Sequence, residues 1–113
     1  MAVNIYDSIN QLEKDLRHTN EYLALVDAFK KIEADEEAKE LLNEFQQIQK
    51  DFLEIQQTGG ELTEDDHKKI IESSQKMQEN EITRDLLQAE FQLNNLLQEI
   101  NETIYKPIRE LYE

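Results

Sequence analysis

The stretch ADEEAKELLNEFQQIQKDFLEIQQTGG, residues 34–60, decides the fold. Its apolar residues recur at alternating intervals of four and three positions. That spacing is typical of the a/d seam of a helix that packs along another helix. Leu42 and Leu53 widen the apolar stripe beyond a two-stranded seam, which favours a helical bundle. The seam residues are Ala34, Ala38, Leu41, Phe45, Ile48, Phe52 and Ile55.

Both ends of this helix carry capping signals. Gly59 and Gly60 should stop it, because glycine adopts the left-handed conformation of a C-terminal cap without steric cost. We therefore expect a helix over residues 36–57, about 33 Å long at 1.5 Å per residue. At its start two alternatives remain open. Asp35 can cap a new helix, or the helix can continue unbroken from the preceding segment.

Other segments of the chain also show helical spacing of apolar residues. The fourth helix has the weaker apolar face, so we expect it to bury least. The expected bounds are residues 4–18 for the first helix, Thr19 or Asn20 as the N-cap of the second, Thr63 as the N-cap of the fourth, and residues 80 to about 105 for the last.

The last helix carries a second seam with the same spacing, and it precedes the only proline. Pro107 lacks an N–H and its ring clashes with the preceding turn, so we expect it to kink or end the helix. The apolar residues Ile108, Leu111 and Tyr112 would then form a tail that docks back. The seam residues are Leu86, Ala89, Leu93, Leu96 and Ile100.

Together these patterns predict an all-α fold in one domain, residues 1–113. We expect an elongated bundle of about four to five helices, with two long antiparallel heptad-patterned helices near residues 36–57 and 81–104. Such a bundle is thin, and a second copy would cover its excess apolar surface, so we also expect a homodimer. The candidate core or dimer-interface residues are Leu41, Phe45, Ile48, Phe52, Ile55, Leu86, Leu93, Leu96 and Ile100.

Charge and composition exclude several functions. The net charge of −14 argues against direct binding of nucleic acid and of anionic membranes, because both require clustered Lys and Arg. An acidic surface can steer a protein toward a basic protein partner, and the alternative is that it only keeps the protein solvated. The absence of cysteine excludes disulfides and thiolate metal sites. No signal peptide or membrane-spanning stretch is recognisable, so we expect a cytoplasmic protein.

Residues that could support chemistry are few. Glu64 and His67 have the Glu-x-x-His spacing found in di-iron bundles, and Asp15 and His18 have a similar spacing. Neither seam supplies the additional carboxylates that such a site requires. Nucleophilic catalysis has no supporting motif, and we expect no catalytic residue and no cofactor. A metal- or small-ligand-binding bundle that uses the Glu64/His67 region is the alternative function.

Three stretches carry a family resemblance: NIYDSINQLEKDLR, EYLALVDAFKKIEADEEAKELLNEFQQIQ and LLQEINETIYKPIRELY. Together they resemble the YlbF/YmcA-like family of small helical bacterial proteins, most closely its YheA branch. The resemblance implies an all-helical, dimerising, cytoplasmic protein. In the YlbF and YmcA branches it implies regulation of competence, sporulation and biofilm formation, within a complex that modulates an endoribonuclease. The iron–sulfur cluster of those branches is held by cysteines, which this chain lacks.

The leading functional hypothesis is therefore a non-catalytic, acidic, helical protein–protein interaction module that serves as a regulatory adaptor. It follows from the paired seams, from the missing catalytic groups and from the family resemblance.

Overall fold

The computed structural model describes residues 3–113, which form five α-helices and no strand. The expected all-α class is confirmed, and the helix over residues 36–57 has the predicted bounds. In chain order the helices are α1 (Ile5–Leu16), α2 (Asn20–Glu33), α3 (Glu36–Gln57), α4 (Glu64–Glu79) and α5 (Glu81–Glu110).

The open question at the start of α3 is answered by Asp35. Its backbone is extended, with φ −128° and ψ 117°, so it separates α2 from α3. Its carboxylate accepts a hydrogen bond from the Ala38 N–H at 2.9 Å and thereby caps the first turn. The N-cap of α2 is Thr19, whose hydroxyl accepts from the Tyr22 N–H at 3.1 Å.

The glycine pair ends α3 as expected. Gly59 has a φ of +81°, in the left-handed region that favours glycine. The Gly60 N–H donates to the Ile55 carbonyl at 2.9 Å, and the Gly59 N–H donates to the Gln56 carbonyl at 3.2 Å. These two bonds form a Schellman motif, which satisfies carbonyls that the helix end would otherwise leave unpaired.

The start of α4 is fixed by a capping box. The Thr63 hydroxyl accepts from the Asp66 N–H, and the Asp66 carboxylate accepts from the Thr63 N–H at 2.9 Å. Because these hydrogen bonds favour the ionised form, the pKa of Asp66 lies below its ordinary value. Thr63 therefore has the capping role predicted from the sequence.

The corner between α4 and α5 is closed by side-chain hydrogen bonds. The Asn80 side-chain oxygen accepts from the N–H groups of Ile82 and Thr83 and so caps α5. The fully buried Thr83 hydroxyl donates to the Met77 carbonyl, near the end of α4. Asn80 and Thr83 thus satisfy backbone groups that the start of α5 and the end of α4 would leave free.

The predicted helix stop at Pro107 is wrong, because α5 continues through it to Glu110. The missing N–H of Pro107 leaves the Thr103 carbonyl without its usual partner, but residues 101–113 are exposed, so water can reach it. One residue earlier, the Glu102 carbonyl accepts from the Arg109 guanidinium at 2.8 Å. The expected docking tail is also wrong, since Leu111 is 81% exposed and Tyr112 is 88% exposed.

The chain packs as two compact units. Unit 1 comprises Met1–Asp27 and Gln88–Glu113, and unit 2 comprises Ala28–Leu87. The expectation of a single domain stays a prediction.

Unit 2 contains a closed core, built from the end of α2, from α3 and α4, and from the first turns of α5. Small residues such as Ala38 and Ser73 allow close packing, and larger side chains fill the centre. Its buried residues are Ala28, Ile32, Ala38, Ser73, Met77, Thr83 and Leu86.

Two expectations about helix packing are corrected by unit 2. The helix that packs along α3 is α4, whereas the heptad pattern suggested the last helix. The short connection from Gly59 to Thr63 returns the chain beside α3, and heptad spacing alone does not specify which helix is the neighbour. The fourth helix was also expected to bury least, but it buries Ser73 and Met77, whereas α1 buries no residue.

Candidate protein-interaction face

The candidate site lies in unit 1, where α1 presents an apolar stripe that its own unit leaves uncovered. Ile5 and Ile9 are each more than half exposed, and Leu12 is 40% exposed. Leu16 is half-buried. An amphipathic helix usually gains its stability by burying such a stripe. The apolar stripe of α1 therefore lacks the packing that normally stabilises a helix of this kind.

The part of α5 that belongs to unit 1 also leaves apolar side chains uncovered. Ala89 is buried, and the seam residues Leu93, Leu96 and Ile100 are half-buried. Beyond them a longer apolar series is exposed, from Leu97 to the end of the helix. We call the following exposed apolar residues of α1, of α5 and of the segment after α5 the open face: Ile5, Ile9, Leu12, Leu97, Ile104, Tyr105, Ile108, Leu111 and Tyr112.

A shallow groove of about 340 Å³ joins the two helices within unit 1. Its apolar lining comes from Leu12 of α1 and from Leu96, Ile100 and Ile104 of α5. The Glu99 and Thr103 side chains form its polar edge. Because the lining is mainly aliphatic, the groove suits an apolar side chain from another protein better than a charged ligand.

Two carboxyl groups of unit 1 have an interaction or a degree of burial that affects them. On α1 the Glu13 carboxylate accepts a hydrogen bond from Arg17 at 2.9 Å, and both side chains are exposed. On α5 the Glu90 carboxyl is half-buried, and burial raises its pKa because the charged form loses hydration. Neither group has a geometry that suggests acid–base chemistry.

The residues predicted as core or dimer interface fall into both units. In unit 2, Leu86 is fully buried, while the α3 residues are half-buried. Leu93, Leu96 and Ile100 lie in unit 1 and are half-buried. Their role in a dimer stays a prediction. The half-buried α3 residues are Leu41, Phe45, Ile48, Phe52 and Ile55.

Sequence reasoning missed most of the open face. The helical spacing of Ile5, Ile9 and Leu12 suggests an inner stripe, and that of Leu97 and Ile104 suggests a wider inner seam. The available signal was the width of the apolar surface on α5. It extends well beyond the stripe that a single neighbouring helix covers.

The metal alternative gains no support from local geometry. Glu64 and His67 are both exposed in the first turn of α4. His18 is also exposed, and its Nδ1 lies 2.8 Å from the Lys14 carbonyl oxygen. Within residues 3–113, no group of three or more His, Asp or Glu side chains is placed to hold a metal ion. The Glu64/His67 hypothesis therefore rests on sequence spacing alone.

A family model described as "Control of competence regulator ComK, YlbF/YmcA" matches residues 5–109. This chain belongs to that YlbF/YmcA family. A UPF0342 protein of Staphylococcus haemolyticus is 44% identical to it over 112 residues, covering 99% of this chain and 98% of the relative. The family resemblance stated from the sequence is thus confirmed.

Three solved structures have the same fold. A protein of unknown function (DUF964) from Bacillus stearothermophilus superimposes with a TM-score of 0.91 at 23% identity, covering 98% of this chain and 97% of that one. The yheA protein from Bacillus subtilis gives 0.76 at 29% identity, covering 97% and 100%. A chain of the Bacillus subtilis structure of RicA in complex with RicF gives 0.69 at 21% identity, covering 100% of both chains.

In this YlbF/YmcA family member, no helix within residues 3–113 is both long and apolar enough to cross a membrane.

Proposed function

We propose that this chain is a non-catalytic regulatory adaptor, which acts by binding other protein chains through the open face of unit 1. The observation that carries the proposal is the exposure of aliphatic and tyrosine side chains along both α1 and α5. Contiguous apolar surface of this kind marks protein–protein interfaces, in which Tyr is enriched. The family description, which names control of a regulator, supports the same class of function.

The chemistry of the open face favours protein over other partners. Its aliphatic side chains offer no cationic group to a phosphate, and the net charge of −14 repels nucleic acid and anionic lipid. The same net charge favours a basic protein as the regulated partner, because it accelerates encounter with a cationic surface. We place this activity in the cytoplasm, as predicted from the sequence.

A homodimer is part of the proposal. Two copies that meet through the open face would cover apolar surface that each copy alone leaves in water. A chain with this fold was solved within a complex of two proteins, RicA and RicF. The fold is therefore compatible with assembly, and the regulatory role would be exercised by such an assembly.

The test is affinity capture from the native cytoplasm with a matched pair of variants. Ile9→Glu places a charge on the open face, and Ile71→Glu places the same charge on α4 of unit 2. The two residues have similar exposure, 52% and 55%, so both variants should fold. We expect a defined partner chain to be retained by the wild type and by Ile71→Glu and lost with Ile9→Glu. Equal recovery by all three proteins, or no partner at low and high salt, would contradict the proposal.

A further inference from the structure

Two grooves lie along the contact between α3 and α4, entirely within unit 2. The smaller one has a volume of about 340 Å³. Ile48 is half-buried and forms its base, whereas the rest of its lining consists of exposed, long polar side chains. Because the methylene groups of these side chains face the groove, the lining is mainly apolar. The exposed lining residues are Glu44, Gln47, Lys69 and Glu72.

The larger groove, of about 600 Å³, adjoins the smaller one at an ion pair. Lys76 lines the larger groove, and its Nζ lies 3.8 Å from Oε1 of Glu44, which lines the smaller one. The base of the larger groove is the half-buried Leu41. We call the two grooves together the α3/α4 cleft. The remaining lining residues of the larger groove are Glu37, Glu79, Asn80 and Glu81.

The α3/α4 cleft carries an excess of negative charge. Its lining contains five carboxylates and two ammonium groups, a formal net charge of −3. Most of this excess lies in the larger groove, where three carboxylates accompany the single ammonium group of Lys76. A neutral side chain seated there would remove water from carboxylates without supplying a cation, which is costly. A Lys or Arg side chain avoids this cost, because its methylene groups can cover Leu41 while its cation pairs with the carboxylates.

The spacing of the two grooves suits a helix. Their basal residues, Leu41 and Ile48, lie seven positions apart on α3, which is about 10 Å at 1.5 Å per residue. A helix that lies along the cleft presents side chains seven positions apart on one face, at the same distance. A strand covers about 10 Å in three residues, but its side chains at positions i and i+3 point to opposite faces. The cleft therefore fits a helix better than an extended segment.

We propose that the α3/α4 cleft binds a helix of a basic protein partner. This helix places an aliphatic side chain on Ile48 and, seven residues away, a Lys or Arg side chain over Leu41. The inference deepens the proposed function, on which it rests for the basic partner, and it assigns that partner a surface in unit 2 in addition to the open face of unit 1. A second copy of this chain is a poor occupant, because its own net charge of −14 repels the cleft.

A designed peptide tests the chemistry of the occupant. The probe is a helical peptide of about 21 residues, long enough to be helical in isolation, built from Ala and Gln. It has Leu at its centre and Arg seven positions to either side, so it can bind in either direction. In the control peptide each Arg is moved two positions outward, which rotates it by about 200° to the opposite face. Titration into the nitrogen-15-labelled full chain, followed by amide chemical shifts, measures both affinities.

We expect the matched peptide to shift amides of residues 37–48 and 69–81, and to bind at least about 10-fold more tightly than the control peptide. Replacing its Leu by Ala, or both Arg by Glu, should weaken binding as well. Absence of saturable shifts, shifts confined to the open face, or equal affinity of the matched and control peptides would overturn the inference. Shifts of these residues on concentrating the free protein would show a second copy in the cleft and would also overturn it.

A matched pair of protein variants tests the larger groove. Glu79→Lys reverses an exposed charge in its lining, at the last residue of α4, where a Lys side chain favours the helix. Glu61→Lys makes the same charge change at an exposed residue between α3 and α4 that lines neither groove. Glu79→Lys should weaken the matched peptide at least about 10-fold at low salt, and Glu61→Lys less than about 2-fold. Equal weakening by both variants would reduce the effect to net charge and overturn the inference.

The outcomes separate this inference from the proposed function. If Ile9→Glu abolishes capture of a partner but the matched peptide does not bind the cleft, the inference fails and the adaptor function stands. If the matched peptide binds the cleft as described but no cellular chain depends on the open face, the cleft stands as a binding site and the proposed role of the open face fails.

Discussion

Unit 2 and unit 1 use similar amphipathic helices with opposite results. In unit 2 the apolar residues of α2, α3, α4 and the start of α5 meet around a core, and side chains such as Ile32, Met77 and Leu86 are at most 1% exposed. In unit 1 the described residues include one buried side chain, Ala89, and its aliphatic residues remain largely in water. Both units are rich in heptad-spaced apolar residues. Unit 2 buries many of them, whereas unit 1 leaves many of them exposed.

This contrast separates stability from function along the chain. A substitution in unit 2 should act mainly on the free energy of unfolding, because its side chains contact each other within the unit. A substitution on the open face should act mainly on assembly, because its side chains have few contacts until a partner binds. The following predictions test that division.

The largest effect is expected from matched leucine truncations on α5. Leu86→Ala removes a fully buried side chain of unit 2 and should lower the free energy of unfolding by about 2–5 kcal/mol. Leu97→Ala removes a side chain of unit 1 that is 41% exposed. It should cost less than about 1 kcal/mol in the dilute monomer, because little packing is lost. Urea denaturation measures both values, and equal losses would contradict the division between the units.

A second matched pair tests two threonine hydroxyls on the same helix. Thr83→Val leaves the Met77 carbonyl without its buried donor and should cost about 1–3 kcal/mol. Thr103→Val removes an exposed hydroxyl that donates to the Glu99 carbonyl at 2.9 Å, within a helix that already bonds that carbonyl. Its cost should stay within about 0.5 kcal/mol. Thermal unfolding by circular dichroism distinguishes the two, and a Thr103→Val loss as large as that of Thr83→Val would break the comparison.

Helix caps provide a smaller contrast. Thr63→Ala disrupts the capping box of α4 and should cost about 1 kcal/mol. Asn4, at the start of α1 in unit 1, makes no side-chain capping hydrogen bond to that helix, and its side-chain amide donates to the Asp7 carboxylate at 3.0 Å. Asn4→Ala should therefore change the midpoint of denaturation very little. A larger loss for Asn4→Ala than for Thr63→Ala would show that α1 is held more firmly than its exposure implies.

The smallest expected effect is a pH-dependent change in stability on substitution of Glu90. Burial raises its pKa above the ordinary value of 4.5, so the folded state binds this proton more tightly than the unfolded state does. Glu90 therefore contributes most to the free energy of unfolding when its carboxyl is protonated. This contribution is lost as the pH rises through the raised pKa. Glu90→Gln should be slightly more stable than the wild type at pH 7, and the difference should shrink near pH 4.

The control for Glu90 is Glu102→Gln, which changes an exposed carboxylate on the same helix. Melting temperatures across the pH range supply the measurement. A wild type that is more stable than Glu90→Gln at pH 7 would show that the charged form of Glu90 has a favourable partner.

The helices that the sequence predicted correctly are those bounded by residues with one strong local role. Asp35 and Gly59 fix the ends of α3 through a side-chain cap and a left-handed residue, and both effects act within a few residues of chain. Thr63 does the same for α4. Helix caps of this kind can be predicted from the sequence because they do not depend on distant contacts.

Pro107 shows why local rules fail elsewhere. Its cost in a helix depends on whether the freed carbonyls of the preceding turn find other partners. Exposure to water supplies a partner for the Thr103 carbonyl, and this exposure was not visible in the sequence. The pairing of α3 with α4 was likewise not predictable, because heptad spacing shows that a helix packs against another helix but does not specify which one.

The open face was predicted only in part. The apolar residues of α1 and α5 were predicted to lie on the inner faces of their helices, but which of them face their own chain depends on helix rotation.

Amide hydrogen exchange, resolved by position, tests the central claim most directly, namely that another chain covers the open face of unit 1. The wild type, Ile108→Glu and Ile71→Glu would be compared at one concentration at which the wild type is assembled. We expect amides of residues 94–111 to exchange at least about 10-fold faster in Ile108→Glu than in the other two proteins, with α3 and α4 unchanged in all three. Equal exchange of residues 94–111 in all three proteins, or a loss of protection in Ile108→Glu that is centred on α3 and α4, would contradict the claim.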